Sequence, residues 1–287
     1  MFFVSISHLI HSDGFFIETV KIDIIYKEER VMKRLLMVVV MVFTLVVSVF
    51  GADKSFEKIQ KNGKFIVGLD ATFAPMGFRG ENGEIVGFDI DLAREVAKRW
   101  GVEVEFKPCE WDGIIFDLNS GNIDMVWNGM TMTEERKRQA AFSEPYFTDG
   151  QLIFSKREAK VNKVAELEGK VVGLQLGSSA DYAVQKSDIF PKIKEIKKYA
   201  TNVEALMDLE AGRTDAVVVD TVAGKYYNSK RATLTYSEES LTQEYYGVAM
   251  RKKDKALVDK LNETLNEMRA DGTFDKISEK WFGKEEK

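Results

Sequence analysis

Cysteine and histidine are nearly absent from this chain. The one cysteine, Cys109, has no intramolecular disulfide partner, and the two histidines, His8 and His11, sit together near the start. That leaves no Cys/His cluster with zinc-ligand spacing and no Ser/His/Asp or Cys/His set for nucleophilic catalysis, so no metal or cofactor is expected. A surplus of positive charge is missing as well: 41 Lys and Arg stand against 46 Asp and Glu, a formal net charge of −5. Nucleic acid rewards a basic face that releases counterions, so no nucleic-acid partner is expected. What remains, 45% hydrophobic and 11% aromatic residues, suffices for a globular core.

Only one stretch is apolar enough for a membrane, LLMVVVMVFTLVVSVF at 35–50, preceded by Lys33-Arg34 and followed by Gly51-Ala52-Asp53. A basic start, about 16 apolar residues and small residues at the end read as a secretory signal peptide, short for a spanning helix. Val49 and Gly51 meet the small-residue rule for cleavage before Ala52. The charge placement points to Met32 as the true start, which makes 1–51 an N-terminal extension plus signal. No cysteine follows the run to carry a lipid, and an uncleaved anchor is the alternative.

Beyond residue 51, short apolar strands alternate with helical patterns, the signature of an α/β chain with a mostly parallel sheet. Residues 65–69 read as a strand. Leu92, Ala93, Val96, Ala97 and Trp100 line one face of a helix over 89–100, stopped by Gly101. Strand 102–106, helix 113–120 and strand 123–127 follow. Much of this order then recurs. Val67-Gly68-Leu69 is echoed by Val172-Gly173-Leu174, and Leu118 to Asp124 by Leu209 to Asp215, each time with a helix ending at a glycine before a strand. Two similar halves are implied, and strand ends in such sheets face ligands.

The polar groups at those ends suit a zwitterion. Arg136 follows Thr133, a plausible N-cap, and lies near a helix start, where a cation gains nothing from the macrodipole; a carboxylate is the usual partner for such an arginine. A solvated arginine within the charged run 134–138 is the plainer alternative. Gln175-Leu176-Gly177-Ser178-Ser179-Ala180 reads as a turn entering a helix, whose free N–H groups make an anion seat. It lacks the closing Gly-Lys-Ser/Thr of a phosphate loop, so a single carboxylate is the better-sized guest. Asp220 ends strand 216–219, where it would suit a cation or cap the next helix. An arginine with N–H groups for a negative charge, and an aspartate with the Thr131 hydroxyl and Gly129 carbonyl for a positive one, outline an α-amino acid.

Several stretches together resemble a known family. They are Val67 to Pro75, Glu84 to Leu92, Met130 to Arg136, Phe142 to Phe147, Leu176 to Ser179, Ala211 to Asp220 and Asp271 to Gly283. In this order they are similar to the polar amino-acid-binding periplasmic proteins of bacterial ABC importers. The resemblance implies a two-lobed Venus flytrap of the type II periplasmic-binding-protein fold, each lobe a mostly parallel sheet with flanking helices. Lobe I would comprise 52–148 plus 246–287, and lobe II 149–245. It further implies that Arg136 clamps the ligand carboxylate with the Ser179 N–H and the Ser178 hydroxyl. Asp220, Gly129 and Thr131 would take the α-ammonium, Asp70 would meet the side chain, and Phe73 and Trp111 would sandwich it. Asn128 and Gly129 stand where basic-amino-acid binders often carry two serines, and Gln175 completes the candidate site.

A carboxylate flanked by two π-faces favours a cationic side chain, with the amide of glutamine close behind. The expected function is therefore extracytoplasmic binding of a free polar L-amino acid, a basic one by preference, by a monomer that delivers it to a membrane permease. The rival readings are a glutamine or cystine binder, and an enzyme on the same scaffold such as a cyclohexadienyl-dehydratase-like protein. The enzyme would need a spare acid in the cleft, betrayed by a strongly raised pKa. A sensor would call for a spanning segment or signalling helix after Trp281-Phe282-Gly283, and neither is written there. Tyr245, Tyr246 and Gly247 read as hinge, Trp127 as core and Cys109 as a thiol without chemistry.

Overall fold

The computed structural model describes residues 32–33 and 53–283, and residues 53–283 belong to one compact unit. The expected extension, export signal and cleavage before Ala52 lie outside the described residues.

Two five-stranded sheets are built to the same plan. In the first, Lys64–Leu69 is flanked by parallel partners Glu103–Pro108 and Met125–Val126; Ala249–Met250 then adds antiparallel, with Ala141–Phe142 at the edge. In the second, Val171–Gln175 is flanked by Glu195–Tyr199 and Ala216–Asp220, then antiparallel Gln151–Lys156, then Leu234–Tyr236. In each sheet four strands point one way and one runs against them. The sequence echo is thus an echo of position. The same aspartate also pins the second strand of the sheet in both halves: Asp124 accepts the Ile66 N–H at 3.1 Å, and Asp215 accepts the Val171 N–H at 2.8 Å.

The helix Phe88–Trp100 shows how these residues specify their element. Phe88, Leu92, Ala93, Val96, Ala97 and Trp100 form its buried stripe, acids occupy its first turn and bases its last, and Gly101 closes it at φ 67°. Its stripe packs on the first sheet, and Phe88 is ringed by Phe147, Phe274 and Phe282. The C-terminal helices Lys255–Ala270 and Thr273–Phe282 therefore belong with the first sheet, a join strengthened by the Trp100 indole donating to Thr264 at 2.8 Å. Strand 123–127 is shorter than its apolar run suggests. Only Met125–Val126 pair, because Asp124 turns back to the neighbouring strand and Trp127 enters the core with its side chain fully buried.

The chain passes between the sheets as a two-stranded antiparallel ribbon, Phe147–Asp149 against Glu244–Tyr246, with Glu244 opposite Asp149 and Tyr246 opposite Phe147.

Candidate functional site

All eleven residues singled out from the sequence, Asp70, Phe73, Trp111, Asn128, Gly129, Thr131, Arg136, Gln175, Ser178, Ser179 and Asp220, line one cavity between the C-terminal strand ends of the two sheets. Each arrives there for a local reason.

Thr133 caps the short helix Glu134–Gln139 by accepting the Arg136 N–H, which places Arg136 in the first turn. The guanidinium is buried, so the plainer reading of a solvated arginine fails. It donates to the Thr131 carbonyl at 3.0 Å and across the cleft to the Gly177 carbonyl at 3.1 Å, and lies 5.4 Å from the Trp111 ring centre. Burial holds its pKa below the ordinary range, with Asp220 the largest influence pulling the other way. Gly177 must be glycine: its φ is 69°, and a Cβ there would meet the Asp112 backbone of the opposite sheet's loops at 3.2 Å. Ser178 caps the helix Ser179–Lys186, accepting the Asp181 N–H at 3.1 Å on one lone pair, which leaves its proton to donate.

Asp220 ends the strand Ala216–Asp220 at the N-cap position of the helix Thr221–Arg231, yet its side chain caps nothing. It accepts instead from the Tyr246 hydroxyl at 2.8 Å. Asp149 stands on the other side of that phenol, and Glu244 accepts from Thr131 at 2.8 Å and from Gln151 at 3.1 Å. Burial first, then the charges of Glu244 and Asp149, push the Asp220 pKa up to about 8; burial likewise raises Asp149 to about 6. Tyr246 is therefore both part of the crossing ribbon and the side chain that holds Asp220, more than the hinge read from sequence. Asp149, Gln151 and Glu244 were missed altogether.

At the opposite end, Asp70 accepts from the Thr72 N–H and hydroxyl, and its Oδ2 accepts the Gln175 amide at 2.8 Å from across the cleft. Asn202 donates to the Gln175 oxygen, which fixes the amide's orientation. Asn128 clamps two backbone segments, accepting the Asp70 N–H and donating to the Gly77 carbonyl. Gly129, at φ 59°, gives its N–H to Asp89 at 2.7 Å, and a Cβ there would lie 2.6 Å from the Phe73 ring. A serine at 129 would collide with Phe73, which accounts for the departure from the two-serine pattern. Burial pushes Asp89 up to about 7 and the Cys109 thiol up to about 11, so that thiol is held protonated near neutral pH.

Asp220, Asp149 and Asp89 all have folded-state pKa values above the ordinary 3.8, so the folded, ligand-free protein holds protons that the unfolded chain releases. Their stabilising contribution is full below about pH 4 and is lost as the pH rises through about 6 to 8. The melting temperature of the ligand-free protein is expected to fall between pH 5 and pH 9; calorimetric melts showing a flat or rising trend would contradict these protonation states.

Residues 65–284 match the family model described as bacterial extracellular solute-binding proteins, family 3. The L-cystine-binding protein TcyJ of Escherichia coli K12 is 34% identical over 250 residues, 86% of this chain and 93% of that protein. The ABC transporter arginine-binding protein 1 of the same organism is 35% identical over 238 residues, 81% of this chain and 93% of that protein. A solved structure of an ancestral arginine-binding protein bound to arginine superposes with a TM-score of 0.74 at 47% identity, covering 77% of this chain and 99% of that one.

Proposed function

The chain belongs to the bacterial extracellular solute-binding proteins of family 3, and on that premise we propose that it closes on a basic L-amino acid, with arginine the foremost candidate. It is an amino-acid-binding protein of an ABC importer, not an enzyme, with the two-lobed type II fold of its relatives. The finer assignments are our reading: lobe I as 52–148 plus 246–287, lobe II as 149–245, delivery to a membrane permease, and residence in the periplasm after export.

One observation carries the basic side chain. The ionisable residues lining the cavity are Asp70, Arg136 and Asp220, two carboxylates against one guanidinium. That sum complements a ligand with an α-carboxylate, an α-ammonium and a second cation. Arg136, with the Ser178 proton and the Ser179 N–H, takes the carboxylate; Asp220, Thr131 and the Gly129 carbonyl take the ammonium; Asp70 pairs the distal cation between Phe73 and Trp111. An amino acid stripped of water at both charges binds well only where each is met by a partner.

A second reading has its own support. The Gln175 amide already sits on Asp70 Oδ2, so a ligand amide fits the same acceptor, and glutamine is the alternative. The raised acid that an enzyme would need is present in Asp220, but burial first and then two neighbouring carboxylates raise it, and a bound ammonium would pair with it.

A thermal-shift panel of the common amino acids and cystine separates these readings. Ligand at about a hundred times its Kd adds roughly 2.7 kcal/mol of stability, a resolvable shift. Arginine is expected to give the largest shift, and Asp70→Asn to weaken it by roughly 1.5–3 kcal/mol while sparing glutamine. No shift with any amino acid would overturn the binding reading.

A further inference from the structure

The phenol oxygen of Tyr246 lies 2.5 Å from Asp149 Oδ2 and 2.8 Å from Asp220 Oδ1. A hydroxyl has one proton to donate. It satisfies one of these two contacts, and the other, between two oxygens at hydrogen-bonding distance, needs a second proton on a carboxyl oxygen. The neighbouring acid needs none: Glu244 accepts from Thr131 and Gln151 on Oε2 and from Thr242 on Oε1.

The surroundings favour that extra proton. Two carboxylates share one phenol, and the charge of Glu244 from the crossing ribbon acts on both of them. Opposing them are the Val222 N–H at the helix start, which donates to Asp149 at 3.3 Å, and Arg136 from the short helix of the other sheet. Arg136 donates to backbone carbonyls of Thr131 and Gly177, and Tyr182 of the helix Ser179–Lys186 also faces it. The pKa of Asp220, raised to about 8, agrees with this count of hydrogens.

We propose that the ligand-free protein holds one proton in the Asp149–Tyr246–Asp220 bridge and that the α-ammonium of the incoming amino acid replaces it, so that binding releases a proton to water. This rests on Asp220 being the partner of the ammonium. The carboxylic acid gives its proton to solvent and becomes the carboxylate that pairs with the ligand, one positive charge exchanged for another. With one proton released per ligand, affinity falls about tenfold for each pH unit below the midpoint.

The test is a calorimetric titration with L-arginine near pH 6.5 in two buffers of different protonation enthalpy. The heats are expected to differ by close to one proton per arginine, with Kd rising about tenfold from pH 7 to pH 6. Asp149→Asn, which keeps Asp220 and Tyr246 and offers the phenol an amide N–H, is expected to lose most of the release and flatten the pH dependence. Equal heats with a pH-independent Kd, or undiminished release in Asp149→Asn, would overturn the proposal and leave the binding site standing. A ligand-free readout covers the case in which no amino acid binds: the infrared difference between parent and Asp220→Asn should contain a carboxylic-acid carbonyl band, and its absence overturns the proposal independently.

Discussion

Arg136→Ala is expected to weaken amino-acid binding by roughly 3–5 kcal/mol, about two to four decades in Kd. Arg136 is 5% exposed, and among the described residues it is the one cation lining the cavity. Without it a ligand carboxylate would enter a space that holds Asp70 and Asp220, with no positive charge to offset its lost hydration. The Thr131 carbonyl and, across the cleft, the Gly177 carbonyl would lose their shared donor in the same substitution. Asp220→Ala is expected to cost a similar amount through the ammonium. Arg136→Lys keeps the charge but not the forked geometry, and should fall between parent and alanine. Calorimetry gives these values, with circular dichroism checking that each variant is folded; an unchanged Kd in either alanine variant would remove the site.

Gly87→Ala is expected to destabilise the fold by roughly 3–5 kcal/mol, which for a domain of this size lowers the melting temperature by roughly 10 °C. Gly87 adopts φ 145°, and a Cβ built on it would lie 2.1 Å from the Met76 carbonyl oxygen and 2.8 Å from the Gly77 nitrogen. Both neighbours are backbone, and neither can rotate away. The segment is also bonded on each side, with the Phe88 N–H on the Pro75 carbonyl and the Asp89 N–H on the Met76 carbonyl. Relief requires shifting the start of the helix Phe88–Trp100, and with it the Asp89 carboxylate that seats Gly129. Binding is therefore expected to suffer along with stability. A melt within about 2 °C of the parent would show that the loop has slack that this geometry denies.

Much of this architecture is written locally. The repeated Val-Gly-Leu strands and the repeated glycine-to-aspartate passages became the second strands and the central, third strands of the two sheets, because buried strands and helix stops depend on near neighbours. The same holds for Thr133, Arg136 and the Ser178-Ser179 turn, whose capping roles span three residues. What resisted reading depends on distant partners. Nothing near Asp149 reveals Glu244, since they meet only through the pairing of the ribbon strands. That Asp220 leaves its helix uncapped likewise turned on Tyr246, which the strand's own sequence does not show. Asn128 shows the reverse: it lines the cavity as read, yet its amide is committed to holding Asp70 and Gly77 together.

The ribbon that joins the sheets supplies Asp149, Glu244 and Tyr246 to one end of the cavity, whereas Asp70 and Gln175 meet at the other. Points near an axle travel little when a jaw swings, and points at the rim travel far. The amino-group end of a guest would therefore find its berth nearly preassembled at any jaw angle, while the far end is gripped only at full bite. Discrimination among amino acids would then reside in how completely the jaws shut rather than in whether the guest first lodges.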